Sequence, residues 1–188
     1  MLDDISEHHI KNVAFLSLKI SLISYFRTAK ALNYYYNGIT CDPNLSQQDK
    51  DKYHGIIYAN EAYNAVFHFQ NFLELVIKEI CNSLTGNTNA NHLNLPHNLS
   101  TIVAGIDSGR FDRRYVFIKN YENAIIAINK LRNDSVHEGA YILRINSLDE
   151  LFGKYALPLM KEVHALPEYQ ANLYWTYNVS VQKCDRII

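Results

Sequence analysis

The chain has 188 residues, a formal net charge of −1 and 48% hydrophobic residues, which favours one ordered domain spanning residues 1–188. No apolar run reaches the length of a membrane span, and the near-neutral charge without a Lys/Arg tract argues against tight nonspecific nucleic-acid binding. The three cysteines are far apart in the sequence, which favours free thiols over disulfides. The first residues include Asp3, Asp4 and Glu7, whereas a signal peptide begins with positive charge. We therefore expect a cytoplasmic protein with free thiols and no membrane partner.

Two long helices are predicted in the N-terminal half of the chain. The first runs from about Glu7 to Tyr36 and ends before Gly38. The second runs from about Gln48 to Leu84, with Gly86 as its expected C-cap. Apolar residues recur at helical spacing in both, and in the second they alternate three and four apart, as in the seam between packed helices. The first pattern comprises Ile10, Val13, Leu16, Ile20, Ile23 and Phe26, and the second Ala62, Val66, Phe69, Leu73, Val76, Ile80 and Leu84.

Shorter helices are predicted in the C-terminal half. Residues 87–98 are Asn-rich and predict a loop, 99–106 one or two short turns, and the next helix runs from about 112 to 137, where Gly139 ends it. The pattern from Ser147 to Glu150 is a capping box and predicts a helix to about Ala165 that Pro158 interrupts. The tail over 173–181 fits either a strand or a packed irregular segment. These elements predict an all-α helical bundle.

Polar residues interrupt the apolar stripe of the helix that ends near Gly139. On a helical wheel, Arg132 falls in the middle of the apolar face, while Asn129, Asn133 and His137 follow one another along its edge. The apolar face comprises Tyr121, Ala124, Ile125, Ile128, Leu131 and Val136. A cation within an apolar stripe is costly unless it is paired, so this cluster indicates a functional site.

Each residue of this cluster also has a structural explanation of its own. A histidine near the end of a helix, such as His137, interacts favourably with the helix dipole. Arg132 can extend its charged group to solvent, or form an ion pair with Glu74 or Glu122 at the edge of the core. The functional interpretation rests on the combination of Arg132, His137 and the intervening asparagine rather than on any one of them.

The run from Arg132 to His137 resembles the motif of the HEPN superfamily, in which an Arg, a polar residue that is often Asn, a short spacer and a His follow one another. Asn133 fills the polar position here. The resemblance covers roughly residues 56–160 and implies a HEPN-like helical bundle, with the N-terminal helix and the C-terminal tail as additions. Toxin-type members often carry a Tyr two residues after the His, whereas this chain has Gly139 there and Tyr141 further on.

The resemblance also implies an activity, which is metal-independent cleavage of RNA by a homodimer. Arg132 and His137 would be catalytic and Asn133 would support them. Arg132 and His137 are five residues apart, roughly 140° around a helix, so two copies of the helix would be needed to bring them to one phosphate. Ile126 lies beside Asn133 on the wheel, outside the main apolar face, and suits such an interface.

The expected partners are an RNA substrate, a second copy and an antitoxin or regulatory protein, as for a prokaryotic toxin or phage-defence effector. The alternative is a catalytically inactive HEPN-like or unrelated helical module that binds a protein partner or a nucleotide. The near-neutral charge favours this alternative, and the apolar setting of Arg132 favours the enzyme. We expect no cofactor and no metal site, because Glu138 is not followed by a metal-binding His pattern and no Gly-rich phosphate loop occurs. His92 and His97 would bind a metal only if further ligands converged on them.

Overall fold

The computed structural model describes residues 6–37, 43–86, 94–138 and 144–169, and in these ranges it contains helices and no strand. This confirms the predicted all-α helical bundle. The helices are α1 (Ser6–Asn37), α2 (Gln47–Thr85), α3 (Leu95–Asp107), α4 (Val116–Asn120), α5 (Glu122–Glu138), α6 (Ile145–Leu151) and α7 (Leu157–Ala165). A 3-10 turn (Arg113–Tyr115) precedes α4, a π-turn (Phe152–Ala156) joins α6 to α7, and a 3-10 turn (Pro167–Tyr169) follows α7. None of the described helices combines the length and apolar character that crossing a bilayer requires.

Helix α2 has 39 residues and lies at the centre of the bundle. Its start is capped by Ser46, whose side chain accepts a hydrogen bond from the Asp49 N–H at 3.1 Å. Its end is capped by Gly86, which adopts a left-handed conformation (φ 65°) and donates its N–H to the Asn82 carbonyl. The predicted C-cap is therefore confirmed, and the predicted apolar seam is buried from Ala62 to Ile80.

Helix α1 packs antiparallel to α2 through small side chains. The Ser21 hydroxyl donates to the Ala65 carbonyl at 2.7 Å, and the Asn71 amide donates to the Ser17 hydroxyl at 2.7 Å. The apolar recurrence in α1 correctly predicts a helix but does not mark its buried face, since Leu16 is 49% exposed. The buried face is instead the mixed one, because serine and alanine let two helix backbones approach closely. It comprises Ala14, Phe15, Ser17, Leu18, Ser21, Leu22, Ser24 and Thr28.

Helix α3 replaces the turns that were predicted for this region. It starts at Leu95, where the Asn94 side chain accepts a hydrogen bond from the His97 N–H, and Pro96 occupies the first turn. The prediction of a loop through residue 98 was wrong because proline is tolerated at the first position of a helix, where no N–H is needed. The chain turns after α3 at Gly109, which adopts a left-handed conformation (φ 70°). Residues 87–93, part of the predicted loop, lie outside the described residues.

The predicted continuous helix from 112 to 137 is divided into two helices. A turn at Tyr121 separates α4 from α5. On one straight helix, Tyr115 would lie roughly 140° around the axis from Ile128, although both are buried in the same core. The break allows both side chains to reach that core. Gly139, the predicted stop, lies outside the described residues, as does the tail from 173 to 181.

The C-terminal elements pack on both α1 and α2. The Phe152 ring stacks on Tyr25 with centroids 4.2 Å apart, and the hydroxyl of Tyr169 donates to Glu79 at 2.8 Å. The predicted helix end at Ala165 is confirmed, but Ser147 lies inside α6 rather than capping it. Pro158 is accommodated because the preceding π-turn shifts the hydrogen-bond register, so that Leu157 donates to Phe152.

Candidate functional site

A cleft of about 280 Å³ lies where α2, α5 and the start of α3 meet. It brings together two of the three residues predicted for the site, Arg132 and Asn133. The third, His137, lies in α5, but its side chain is outside the described residues. The cleft is lined by Gln70, Glu74, Asn94, Leu95, Pro96, Asn129, Arg132 and Asn133.

In the part of the chain that the structure describes, the guanidinium of Arg132 has fixed contacts but no ion-pair partner. It lies over the ring of Phe67, 5.1 Å from the centroid, and its Nη1 donates to Asn133 Oδ1 at 2.9 Å. Its Nε atom is buried and has no hydrogen-bond partner among the described residues. Arg132 thus lies on the side of α5 that carries the buried Ile125 and Ile128, as the wheel predicts, but is itself only partly buried. The guanidinium has fixed contacts with a ring and an amide, and retains hydrogen-bonding capacity for a ligand.

Neither carboxylate considered as a partner of Arg132 pairs with it. In the described part of the chain, no ion pair joins Arg132 to Glu74 or to Glu122. Glu74 instead accepts a hydrogen bond on Oε2 from Gln70 Nε2 at 2.9 Å. The structural explanation of Arg132 as an ion-pair residue of the core edge is thus not what the structure shows.

Gln70 is the residue that organises this part of the cleft, and sequence reasoning did not identify it. It is 2% exposed, and its Nε2 donates both to Glu74 and to Asn129 Oδ1, the latter at 3.0 Å. A signal was present in the sequence, since Gln70 follows Val66 and precedes Leu73 on the same face of α2. An amide in that apolar stripe indicates a buried polar contact, as the cation does in α5.

The asparagines of the cleft present hydrogen-bond donors. The side-chain oxygens of Asn94, Asn129 and Asn133 each accept a bond from a group of the protein, at 3.1, 3.0 and 2.9 Å respectively. An amide whose oxygen is engaged in this way retains its two N–H donors. Together with Arg132, these amides make the cleft rich in donors, which suits a ligand rich in acceptor oxygens.

Helix α5 is continuous from Glu122 to Glu138, so Arg132 and His137 share one regular helix. Their positions differ by roughly 140° around its axis and about 7.5 Å along it. Ile126, predicted to lie outside the core, is 43% exposed. The geometric reason for expecting two copies at one phosphate therefore still applies.

Outside the cleft, the core contains a buried histidine, His164. It is 3% exposed, neither ring nitrogen has a hydrogen-bond partner in the described part of the chain, and its ring stacks on Phe15 at 5.2 Å. Burial lowers the pKa of His164 to about 4. Among the described residues there is no group of three or more His, Cys, Asp or Glu side chains that could hold a metal ion.

No protein-family model, no curated protein and no solved structure matches this chain. The relationship to the HEPN superfamily is therefore a resemblance carried by the run from Arg132 to His137. The functional argument rests on the chemistry of the cleft itself.

Proposed function

We propose that this protein is a metal-independent endoribonuclease of the HEPN type, with Arg132, Asn133 and His137 at its site. The observation that carries the proposal is the guanidinium of Arg132, which lies over Phe67. In the described residues it has no ion-pair partner, and its buried Nε has no hydrogen-bond partner. A guanidinium keeps its charge at any pH at which proteins fold. An anion that accepts hydrogen bonds would stabilise it, and a phosphodiester is such an anion.

The donors around Arg132 support the same ligand class. Asn129 and Asn133 line the cleft with their oxygens bonded to protein donors, and among the described residues no hydrogen bond engages their side-chain N–H groups. A phosphate and its ribose present many acceptor oxygens. Because only a few donors are involved and the net charge is −1, binding would depend on this cleft rather than on bulk attraction to RNA.

The proposed reaction uses the 2′-hydroxyl of the RNA as its own nucleophile. The 2′-oxygen bonds to phosphorus and the bond from phosphorus to the 5′-oxygen breaks. One proton leaves the 2′-hydroxyl and one is delivered to the 5′-oxygen, giving a 2′,3′-cyclic phosphate and a 5′-hydroxyl end. His137 is assigned to the proton transfers because imidazole ordinarily titrates near neutrality. Arg132 is assigned to the negative charge that develops on the phosphorane.

A homodimer is part of the proposal. A single α5 separates Arg132 from His137 around the helix, so a two-fold arrangement of two α5 ends would supply both groups to one phosphate. The exposure of Ile126 at 43% offers an apolar contact for this arrangement. Light scattering that finds an active monomer at high concentration would contradict this part of the proposal.

The biological setting that we propose follows from the resemblance. Ribonucleases of this type act as prokaryotic toxins or phage-defence effectors on cytoplasmic RNA, and an antitoxin or regulatory protein would hold such an enzyme in check.

The activity is tested by incubating the purified protein with RNA in EDTA and analysing the ends of the fragments. We expect 2′,3′-cyclic phosphate ends, and loss of cleavage in Arg132→Ala and in His137→Ala. Arg113→Ala and His97→Ala are matched controls, because both side chains are exposed and neither lines the cleft. Full activity of His137→Ala, or loss of wild-type activity on chelation, would refute the mechanism.

The second candidate function is a non-catalytic module that binds a protein partner. It is favoured by two adjacent exposed apolar residues of α2, Ile56 at 59% and Ile57 at 37% exposed. Under this alternative the wild-type protein leaves RNA intact at every concentration, and Ile56→Ser with Ile57→Ser abolishes partner binding.

A further inference from the structure

Among the described residues that line the donor-rich cleft, one carries a carboxylate, and it is Glu74. Its Oε2 accepts one bond from the buried amide of Gln70, while Oε1 forms no hydrogen bond in the described part of the chain. A carboxylate oxygen accepts two hydrogen bonds, so both oxygens of Glu74 retain accepting capacity. Because Gln70 is 2% exposed, the carboxylate that it holds is fixed relative to α5.

Glu74 and Arg132 lie at opposite ends of the cleft. α2 and α5 run antiparallel, since Gln70 contacts Asn129 while Phe67 contacts Arg132. Glu74 is one turn beyond Gln70 in one direction, and Arg132 is almost one turn beyond Asn129 in the other. Their Cα atoms are therefore separated by about 10 Å along the helix axes. The carboxylate is held against Gln70 and the guanidinium over Phe67, and no ion pair joins them in the described part of the chain, so the cleft has an acceptor end and a donor end.

A ligand that matches both ends must carry hydrogen-bond donors at one end and an anion at the other. A nucleotide has this form and a similar length. Guanine offers two adjacent donors on its Watson–Crick edge, the ring N1–H and the 2-amino group, which match the two oxygens of a carboxylate. Adenine and cytosine each place a ring acceptor beside their amino group, and uracil has a single ring N–H. A carboxylate at this position therefore favours guanine over the other bases.

We propose that the cleft recognises a guanine nucleotide, with Glu74 accepting from the base and Arg132 binding the phosphate. Pro96 is exposed in the first turn of α3 and lines the same cleft, where its ring offers an apolar contact for one face of the base. The volume of about 280 Å³ is close to the lower end, roughly 300 Å³, of small-ligand sites. The inference depends on the proposed function for the view that the nucleotide belongs to an RNA substrate.

The first test uses the unmodified protein and three ligands measured by isothermal titration calorimetry. Guanosine, inosine and adenosine 5′-monophosphates share the ribose and the phosphate, and inosine lacks only the 2-amino group of guanosine. We expect guanosine monophosphate to bind most tightly, with inosine monophosphate about tenfold weaker and adenosine monophosphate weaker still. Equal affinities for guanosine and adenosine monophosphates, or no binding of any of the three, would overturn the proposal.

The second test assigns the preference to Glu74. Glu74→Gln replaces one acceptor oxygen with a donor amide, so we expect the preference for guanosine over inosine monophosphate to disappear. Glu162→Gln is the matched control, since Glu162 is exposed on α7 and does not line the cleft. A full preference retained in Glu74→Gln would overturn the assignment. The ligand series on the unmodified protein decides the proposal even if this variant fails to fold.

Cleavage and recognition can fail separately. Cleavage of RNA with no preference for guanine in the sequence would overturn the guanine proposal and leave the ribonuclease proposal intact. Selective binding of guanosine monophosphate by a protein that leaves RNA intact would overturn the ribonuclease proposal and leave the guanine proposal intact.

Discussion

Arg132 and His164 each hold a buried nitrogen without a hydrogen-bond partner in the described residues, yet their surroundings differ. His164 is 3% exposed and stacks on Phe15 in the core between α1 and α7. Arg132 is only partly buried, lies over Phe67 and lines a cleft with polar neighbours. The unpartnered nitrogen of His164 therefore lies in an aromatic part of the core, whereas that of Arg132 lies beside an open cleft.

The two side chains differ in whether they can lose their positive charge by releasing a proton. Imidazole can lose its proton, and burial lowers the pKa of His164 to about 4, so the folded protein holds it neutral near pH 7. A guanidinium cannot be neutralised in this way. An unpartnered nitrogen in His164 is thus a tolerable structural cost, whereas in Arg132 it is consistent with the ligand-binding role that we propose.

The strongest test of this comparison replaces Arg132 by methionine, whose unbranched side chain resembles the aliphatic stem of arginine but lacks the guanidinium. We expect cleavage to fall on the order of 10³-fold while the melting temperature stays equal or rises, because a charge that only a ligand neutralises costs stability. Arg114→Met is the control, since Arg114 also lies over a ring, at 4.7 Å from the Tyr115 centroid, but pairs with Glu168. Its cleavage rate should not change.

A destabilisation on the order of 3–5 kcal/mol in Arg132→Met would point instead to a structural role. Cleavage retained by that variant would remove Arg132 from the catalytic assignment. Thermal melts and RNA assays on the same samples distinguish these outcomes.

The next test concerns the acid sensitivity contributed by His164. In the unfolded chain the pKa of His164 has its ordinary value of 6.5, whereas in the folded protein it is about 4. Stability from this group is therefore complete above pH 6.5 and is lost as the pH falls towards 4, by about 3 kcal/mol. In His164→Phe, the free energy of unfolding measured in urea should fall less steeply as the pH is lowered from 6.5 to 4. His97→Phe, at an exposed position, is the control and should keep the pH dependence of the wild-type unfolding free energy. The same pH dependence in His164→Phe would show that His164 is not the source of the acid sensitivity.

The smallest expected effect comes from the ring beneath Arg132. Phe67→Leu keeps an apolar side chain but removes the aromatic face, so we expect cleavage to fall about fivefold through loss of the cation–π contact. Phe26→Leu, at a 44% exposed position of α1, is the matched control and should leave the rate unchanged. A rate in Phe67→Leu equal to that of the wild type would show that the ring does not position the guanidinium.

Periodicity predicted the long elements and the position of Arg132 because one face of each helix must be buried continuously. It predicted the seam of α2 for the same reason, whereas the cap at Gly86 was predictable because glycine readily adopts the left-handed conformation that ends a helix. It failed for the buried face of α1, where serines contact a neighbouring backbone and Leu16 points outward. Hydrophobicity does not encode such close approach, which depends on the partner helix.

The candidate site was only partly predictable for a related reason. Arg132 and Asn133 were identified from a single helix, but Gln70 and Asn94 reach the cleft from α2 and from the start of α3. Their contribution depends on how three helices meet. The segment holding Asn94 was predicted as a loop, so its capping role and its place in the cleft required the fold.

The small-residue packing of α1 on α2 has a consequence for the timing of ligand binding. Hydrogen bonds of Ser21 and Asn71 join α1 to one side of α2. Gln70, in the same stretch of α2, forms a hydrogen bond with α5 on the other side. Amide hydrogens in this stretch should exchange with deuterium only through global opening, on the slowest timescale of the molecule. The cleft is then a rigid receptor on this side, and its association rate should reflect ligand diffusion rather than helix rearrangement.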